Sequence, residues 1–203
     1  MQAKILLRRI LLPVAVIGLA FFLLLFFYFI PKNQIQNSPD GFITNSVISS
    51  KQEQTDFGLP TRLKIPKINV DAAFEQVGLT PNGEMDIPKN QDNVAWFKLG
   101  PSPGENGSAV VAGHYGWKGG EPSVFDNLYK LRKGDKLYIE DDQGVIISFV
   151  VRTIRRFDPK ADASDVFISS DGKSHLNLIT CEGTWDKTSE SYSQRLVIFT
   201  DKE

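Results

Sequence analysis

Only one cysteine, Cys181, occurs in the 203 residues, and only two histidines, His114 and His175, accompany it. A lone thiol cannot close an internal disulfide, so the folded part depends on its core, and the thiol is either a buried spectator or a reactive group. No CxxC or HxxxH spacing is present, which disfavours a metal site built from His114, His175 and Cys181. Basic charge is scarce where a phosphate ligand would need it. Of the 23 Lys and Arg residues, Lys4, Arg8, Arg9 and Lys32 precede residue 33, leaving 19 against all 24 acidic residues, a net of −5. Such a surface has no surplus with which to neutralise a nucleic acid. Long amphipathic helical patterns, internal repeats and low-complexity tracts are also missing. Aromatic and β-branched residues are plentiful, and together these features favour a β-rich fold.

Charge of either sign is absent from Ile10 to Ile30, a run of 21 residues that matches the roughly 20 a helix needs to cross a bilayer. It reads as a transmembrane helix, with Pro13 in the first turn, where a missing N–H costs least. A cleaved signal peptide is the rival, but its apolar region is shorter and ends in small residues, which FFYFIPKNQ does not offer. Three basic residues precede the run and Lys32 alone follows it closely. The positive-inside rule therefore puts residues 1–9 in the cytoplasm and everything beyond the helix outside, at the cell membrane. Residues 31–58, rich in Asn, Gln, Ser and Thr, read as an extracellular stalk. The alternative is a short element packed on the domain through Phe42, Ile43, Val47 and Ile48.

Residues 59–203 are long enough for one well-packed core. Apolar residues alternate at Leu63, Ile65, Ile68 and Val70 and are interrupted by Pro66, which fits short strands with a bend. Pro81-Asn82-Gly83 is a turn signal, VAWFKLG is an apolar run, and PSPGENGS is a loop. SVFDNLYKL has near-helical spacing and predicts one short helix, with Ser123 as a possible N-cap. KLYIEDDQGVIISFVVRTI predicts a hairpin around Asp141 to Gly144. Pro159 to Ser170 predicts a helical turn at most. About eight strands and one or two short helices suggest a closed or partly closed β-barrel.

The stretch that concentrates the chemistry is His175 to Thr200. Two apolar strands, Leu176 to Thr180 and Leu196 to Thr200, are predicted on either side of a polar loop, with Cys181 ending the first and Arg195 opening the second. If they pair antiparallel, thiol and guanidinium are neighbours, since adjacent strands lie about 5 Å apart. Upstream, the run SAVVAG ends at His114, followed by an aromatic, Gly-rich loop expected to border the site. A thiol nucleophile, a proton shuttle and an oxyanion stabiliser need these three residue types. His175, at the start of the strand that ends in Cys181, lies about 20 Å from it at ~3.3 Å per residue, too far to shuttle a proton.

The run LITC, an Arg on the next strand, AGH upstream, RLKIPKINVDAAFEQVGLT, GPSPGENGSAVVAGH and an N-terminal anchor together resemble the sortases. These are membrane-anchored cysteine transpeptidases of the Gram-positive cell surface. The resemblance spans about Leu59 to Thr200 and implies a sortase-like eight-stranded β-barrel. It also implies Cys181 as nucleophile, His114 as general acid/base and Arg195 as oxyanion stabiliser, with Thr180 helping to shape the substrate pocket. The implied reaction cleaves a Leu-Pro-x-Thr-Gly (LPxTG) type sorting motif between Thr and Gly and joins the acyl part to an amine, such as a cell-wall precursor or a pilin. Asn177 stands where many sortases carry the first Thr of Thr-Leu-x-Thr-Cys. The pattern is nearer to class F than to class A, with classes D and E as alternatives. No cofactor is expected. The acidic run Glu140, Asp141, Asp142 reads as a solvated hairpin tip, with calcium binding, as in some sortases, the alternative. A related cysteine peptidase that releases product to water, and a membrane-tethered β-module with a buried thiol, are the competing readings.

Overall fold

Alternating apolar residues in the folded part resolve into eight strands: β1 (Pro60–Ile65), β2 (Val70–Val77), β3 (Val94–Phe97), β4 (Gly107–Gly113), β5 (Lys136–Asp141), β6 (Ile146–Phe157), β7 (Ser174–Asp186) and β8 (Ser191–Lys202). A single α-helical turn, α1 (Ser164–Phe167), interrupts the β6–β7 connection. The computed structural model describes residues 57–203, so the expected cytoplasmic segment, transmembrane helix and nearly all of the stalk lie outside the described residues.

The strands form a closed barrel in the order β1-β2-β3-β4-β7-β8-β6-β5, with β5 returning to β1. Two contacts are parallel, β2 with β3 and β4 with β7, and the rest are antiparallel. Closure gives each of the eight strands a neighbour on both sides within the barrel. Because side chains alternate across a strand, one set fills the barrel: Leu63, Ile65, Leu137, Ile139, Phe149, Leu176, Leu178, Leu196 and Ile198 are all buried there. The opposite set on β4, β7 and β8 carries Val110, Ile179, Val197 and Phe199. These form a second apolar cluster outside the barrel with Val166 and Phe167 of α1 and with Met85, Phe97 and Phe157.

Two expectations change in detail. The helix predicted over SVFDNLYKL is a turn followed by a 3-10 turn at Leu128–Lys130, and Ser123 Oγ has no partner among the described residues rather than capping anything. Phe125, Leu128 and Leu131 all enter the core, and a spacing of three residues lines up on a 3-10 turn as well as on one face of an α-helix. The hairpin of β7 and β8 also runs well past its apolar halves, pairing as far as Asp186 with Ser191, with a register shift between Glu182 and Trp185. Its outer portion is polar apart from the facing pair Trp185 and Tyr192, so the backbone ladder continues where no apolar alternation marks it.

Candidate active site

Cys181 and Arg195 are directly opposite each other in the β7–β8 ladder. Both belong to the outward-facing set, Cys181 two residues beyond Ile179 and Arg195 two before Val197. The thiol therefore lies on the outside of the barrel, at the margin of the second apolar cluster. His114 arrives from β4. The parallel register matches Ala112 with Ile179, so the two residues that follow each strand position, Gly113 and His114, run beside Thr180 and Cys181. Thr180 faces inward, and its hydroxyl donates to the Gly113 carbonyl at 2.7 Å. That bond ties the ends of β4 and β7 together and fixes the offset between histidine and cysteine. Gly113 suits this junction because a Cβ there would stand 2.4 Å from the Phe125 ring.

The electrostatics favour a protonated thiol at rest. Burial pushes the Cys181 thiol above its ordinary value, and the positive charge of Arg195 opposes that shift without cancelling it. Arg195 curls along its own strand, Nη1 donating to the carbonyls of Tyr192 (3.2 Å) and Gln194 (3.1 Å) and Nη2 to Ser191 Oγ (3.3 Å). Among the described residues no carboxylate pairs with it. Glu182, next to the thiol in sequence, is engaged instead by a two-pronged bond from Arg156, at 2.6 and 3.0 Å. A guanidinium without a carboxylate partner keeps its charge available for an oxyanion. His114 Nε2 lies 2.7 Å from the Pro88 carbonyl, and the Trp117 ring meets the imidazole edge-on at 4.7 Å.

Two aromatic residues of the predicted polar loop, Trp185 and Tyr192, belong to this site. Tyr192 packs edge-on between Tyr115 (5.4 Å) and Trp185 (5.0 Å). Its hydroxyl is raised above the usual tyrosine value, by burial first and then by the neighbouring Cys181, Tyr115 and Asp126. It remains a neutral donor beside the thiol. The available signal was compositional: Trp185 and Tyr192 are the only aromatics in the polar run from Glu182 to Gln194.

His175 is elsewhere. It is buried at the far end of β7 with Nδ1 2.8 Å from Asp201 and Nε2 3.0 Å from Asp171, and the bond to His175 holds the Asp171 carboxyl well below the usual range. A polar cleft of about 260 Å³ opens there, lined by Ser108, Arg152, Arg155, His175 and Asn177 among others. Its charges are already paired, Arg152 with Asp201 and Arg155 with Asp165. Asn177, the departure from the Thr pattern, donates Nδ2–H to the Val166 carbonyl at 2.6 Å and so braces α1 against β7. The acidic run is occupied as well. Asp141 accepts backbone N–H groups of Gly58, Gln143 and Val145, Asp142 accepts that of Leu59, and Glu140 pairs with Lys64.

A family model described as a sortase domain matches residues 63–203. Solved structures with similar folds include sortase C-1 from Actinomyces oris, 24% identical over 70% of this chain and 72% of that one, with a TM-score of 0.56. Streptococcus agalactiae sortase C1, in complex with MTSET, is 27% identical over 70% of this chain and 66% of that one, with a TM-score of 0.55. A lid mutant of sortase A from Corynebacterium diphtheriae is 19% identical over 75% and 74%, with a TM-score of 0.57. These three are of classes C and A, whereas the class F resemblance rests on the sequence motifs. No curated protein matches the chain.

Proposed function

The chain belongs to the sortase family, a family of transpeptidases, and from that premise we propose that it cleaves an LPxTG-type sorting motif between Thr and Gly and transfers the acyl part to an amine. The observation that supports this reading is that a thiol faces, across the β7–β8 ladder, a guanidinium that no carboxylate pairs among the described residues, with His114 two residues beyond the β4 position that is paired to Ile179. Cys181 Sγ attacks the Thr carbonyl carbon while His114 takes the thiol proton, so the half-buried thiol does not have to be ionised beforehand. Arg195 donates to the developing oxyanion, and the neutral Tyr192 hydroxyl lies at the same margin. His114 then passes its proton to the departing Gly nitrogen, leaving a thioester. An incoming amine gives its proton to His114, attacks the thioester and displaces the thiolate, which recovers the proton.

The natural acceptor is proposed to be an amine of a cell-wall precursor or a pilin, and the enzyme to be held at the cell membrane by Ile10–Ile30. Product analysis of an LPxTG peptide with and without added amine tests the proposal. An amine adduct is expected when amine is present. A hydrolysed peptide alone, whatever the amine concentration, would make the protein a peptidase.

A further inference from the structure

We infer that Glu75 is a positioning residue for His114: its carboxylate anchors the loop that presents the Pro88 carbonyl to Nε2–H, leaving Nδ1 as the nitrogen that exchanges protons with the thiol. The inference rests on the proposed roles of His114 and Cys181. A carbonyl oxygen only accepts, so the 2.7 Å contact requires the hydrogen on Nε2. A neutral imidazole carries one N–H, and the free lone pair is then on Nδ1.

The loop owes its place to topology. Because β2 and β3 are parallel, the chain must return from the end of β2 to its middle, and the register sets Val94 beside Phe74. This lays residues 88–93 against Glu75. The same Val94 pairs with Gly113 across the antiparallel β3–β4 contact, so the loop also borders His114. Glu75 Oε2 accepts Lys89 N–H at 2.9 Å, and Oε1 accepts Asn90 N–H at 3.2 Å and Asn93 Nδ2–H at 2.9 Å. Three donors converge on a single carboxylate, an arrangement that favours the ionised form. Partial burial works against ionisation, but these bonds outweigh it and hold the carboxyl below its ordinary value. Val124 N–H to the Gln91 carbonyl, and Phe125 N–H to the His114 carbonyl, both at 3.0 Å, complete the frame around the ring. A carboxylate at position 75 thus fixes a backbone carbonyl, and that carbonyl fixes a tautomer.

The test uses the full chain labelled with ¹⁵N at its two histidines, with His114 and His175 distinguished by His175→Gln, and reads long-range ¹H–¹⁵N correlations in the imidazole rings. Wild-type His114, once neutral, should show the Nε2–H tautomer. Glu75→Gln sets an amide NH₂ against N–H donors. It should give a tautomer mixture and lower kcat roughly tenfold with KM little changed, part of the 10²–10⁴ that general acid–base catalysis supplies. Glu75→Asp should restore part of both. An Nδ1–H tautomer in wild type, or an unchanged tautomer and kcat in Glu75→Gln, overturns the inference. If Glu75→Gln does not fold, Asn93→Ala removes one donor and carries the same measurement, with a smaller shift in the same direction expected and none overturning the inference. Failure of the catalytic reading looks different: His114→Ala and Cys181→Ala would retain turnover, whatever the tautomer.

Discussion

At Cys181 two influences act in opposite directions on one proton: burial disfavours the thiolate and the facing guanidinium favours it, with burial the stronger. The resting nucleophile is therefore a thiol. Since only the thiolate is alkylated, the rate of reaction with iodoacetamide should keep rising with pH beyond the ~8.5 midpoint of a free cysteine. Arg195→Gln removes the one influence that lowers the value, so its midpoint should move higher still. A midpoint below that of free cysteine would indicate a preformed ion pair and contradict this balance. The residue types of the site were legible in the sequence, because a lone cysteine, a Gly-flanked histidine and an arginine stood at the ends of apolar runs. Tyr192 and the Pro88 carbonyl were not, since one sits in a polar stretch and the other is backbone, and neither leaves a periodic trace.

The elements that matter are β4, β7 and β8, and their ends matter more than their middles. Apolar runs located all three, yet the offset between β4 and β7 depends on a single inward hydroxyl. Thr180→Val keeps the shape and removes the donor to the Gly113 carbonyl, which should cost about 1 kcal/mol of stability. It should also lower turnover by loosening the His114 offset. An unchanged urea midpoint together with wild-type turnover would deny Thr180 this role. The outer half of the β7–β8 hairpin was not legible because Trp185 and Tyr192 stand alone among polar residues and set no alternation. The segment after Ser123 misled for a different reason: apolar residues at 125, 128 and 131 suit a three-residue turn as well as a helix, and only the core they enter decides between them.

For the whole molecule, closure of eight strands was within reach of the sequence, whereas the strand order was not, because the two parallel contacts are set by pairing between segments distant in sequence. Those contacts bring the β2–β3 loop beside His114 and the end of β4 beside the end of β7. The uncharged Ile10–Ile30 run leads us to expect the full chain in the membrane fraction after cell lysis; recovery of the intact chain in the soluble fraction would remove the anchor from the account. The central claim is that Cys181 carries the acyl group. Mass spectrometry of the full chain after brief exposure to a Leu-Pro-x-Thr-Gly peptide should show a thioester adduct on Cys181. The adduct should be absent in Cys181→Ala, nearly absent in His114→Ala and retained in His175→Gln. No adduct and no product with several sorting-motif peptides, combined with a native thiol inert to alkylation, would contradict the account and leave a β-module with a buried cysteine.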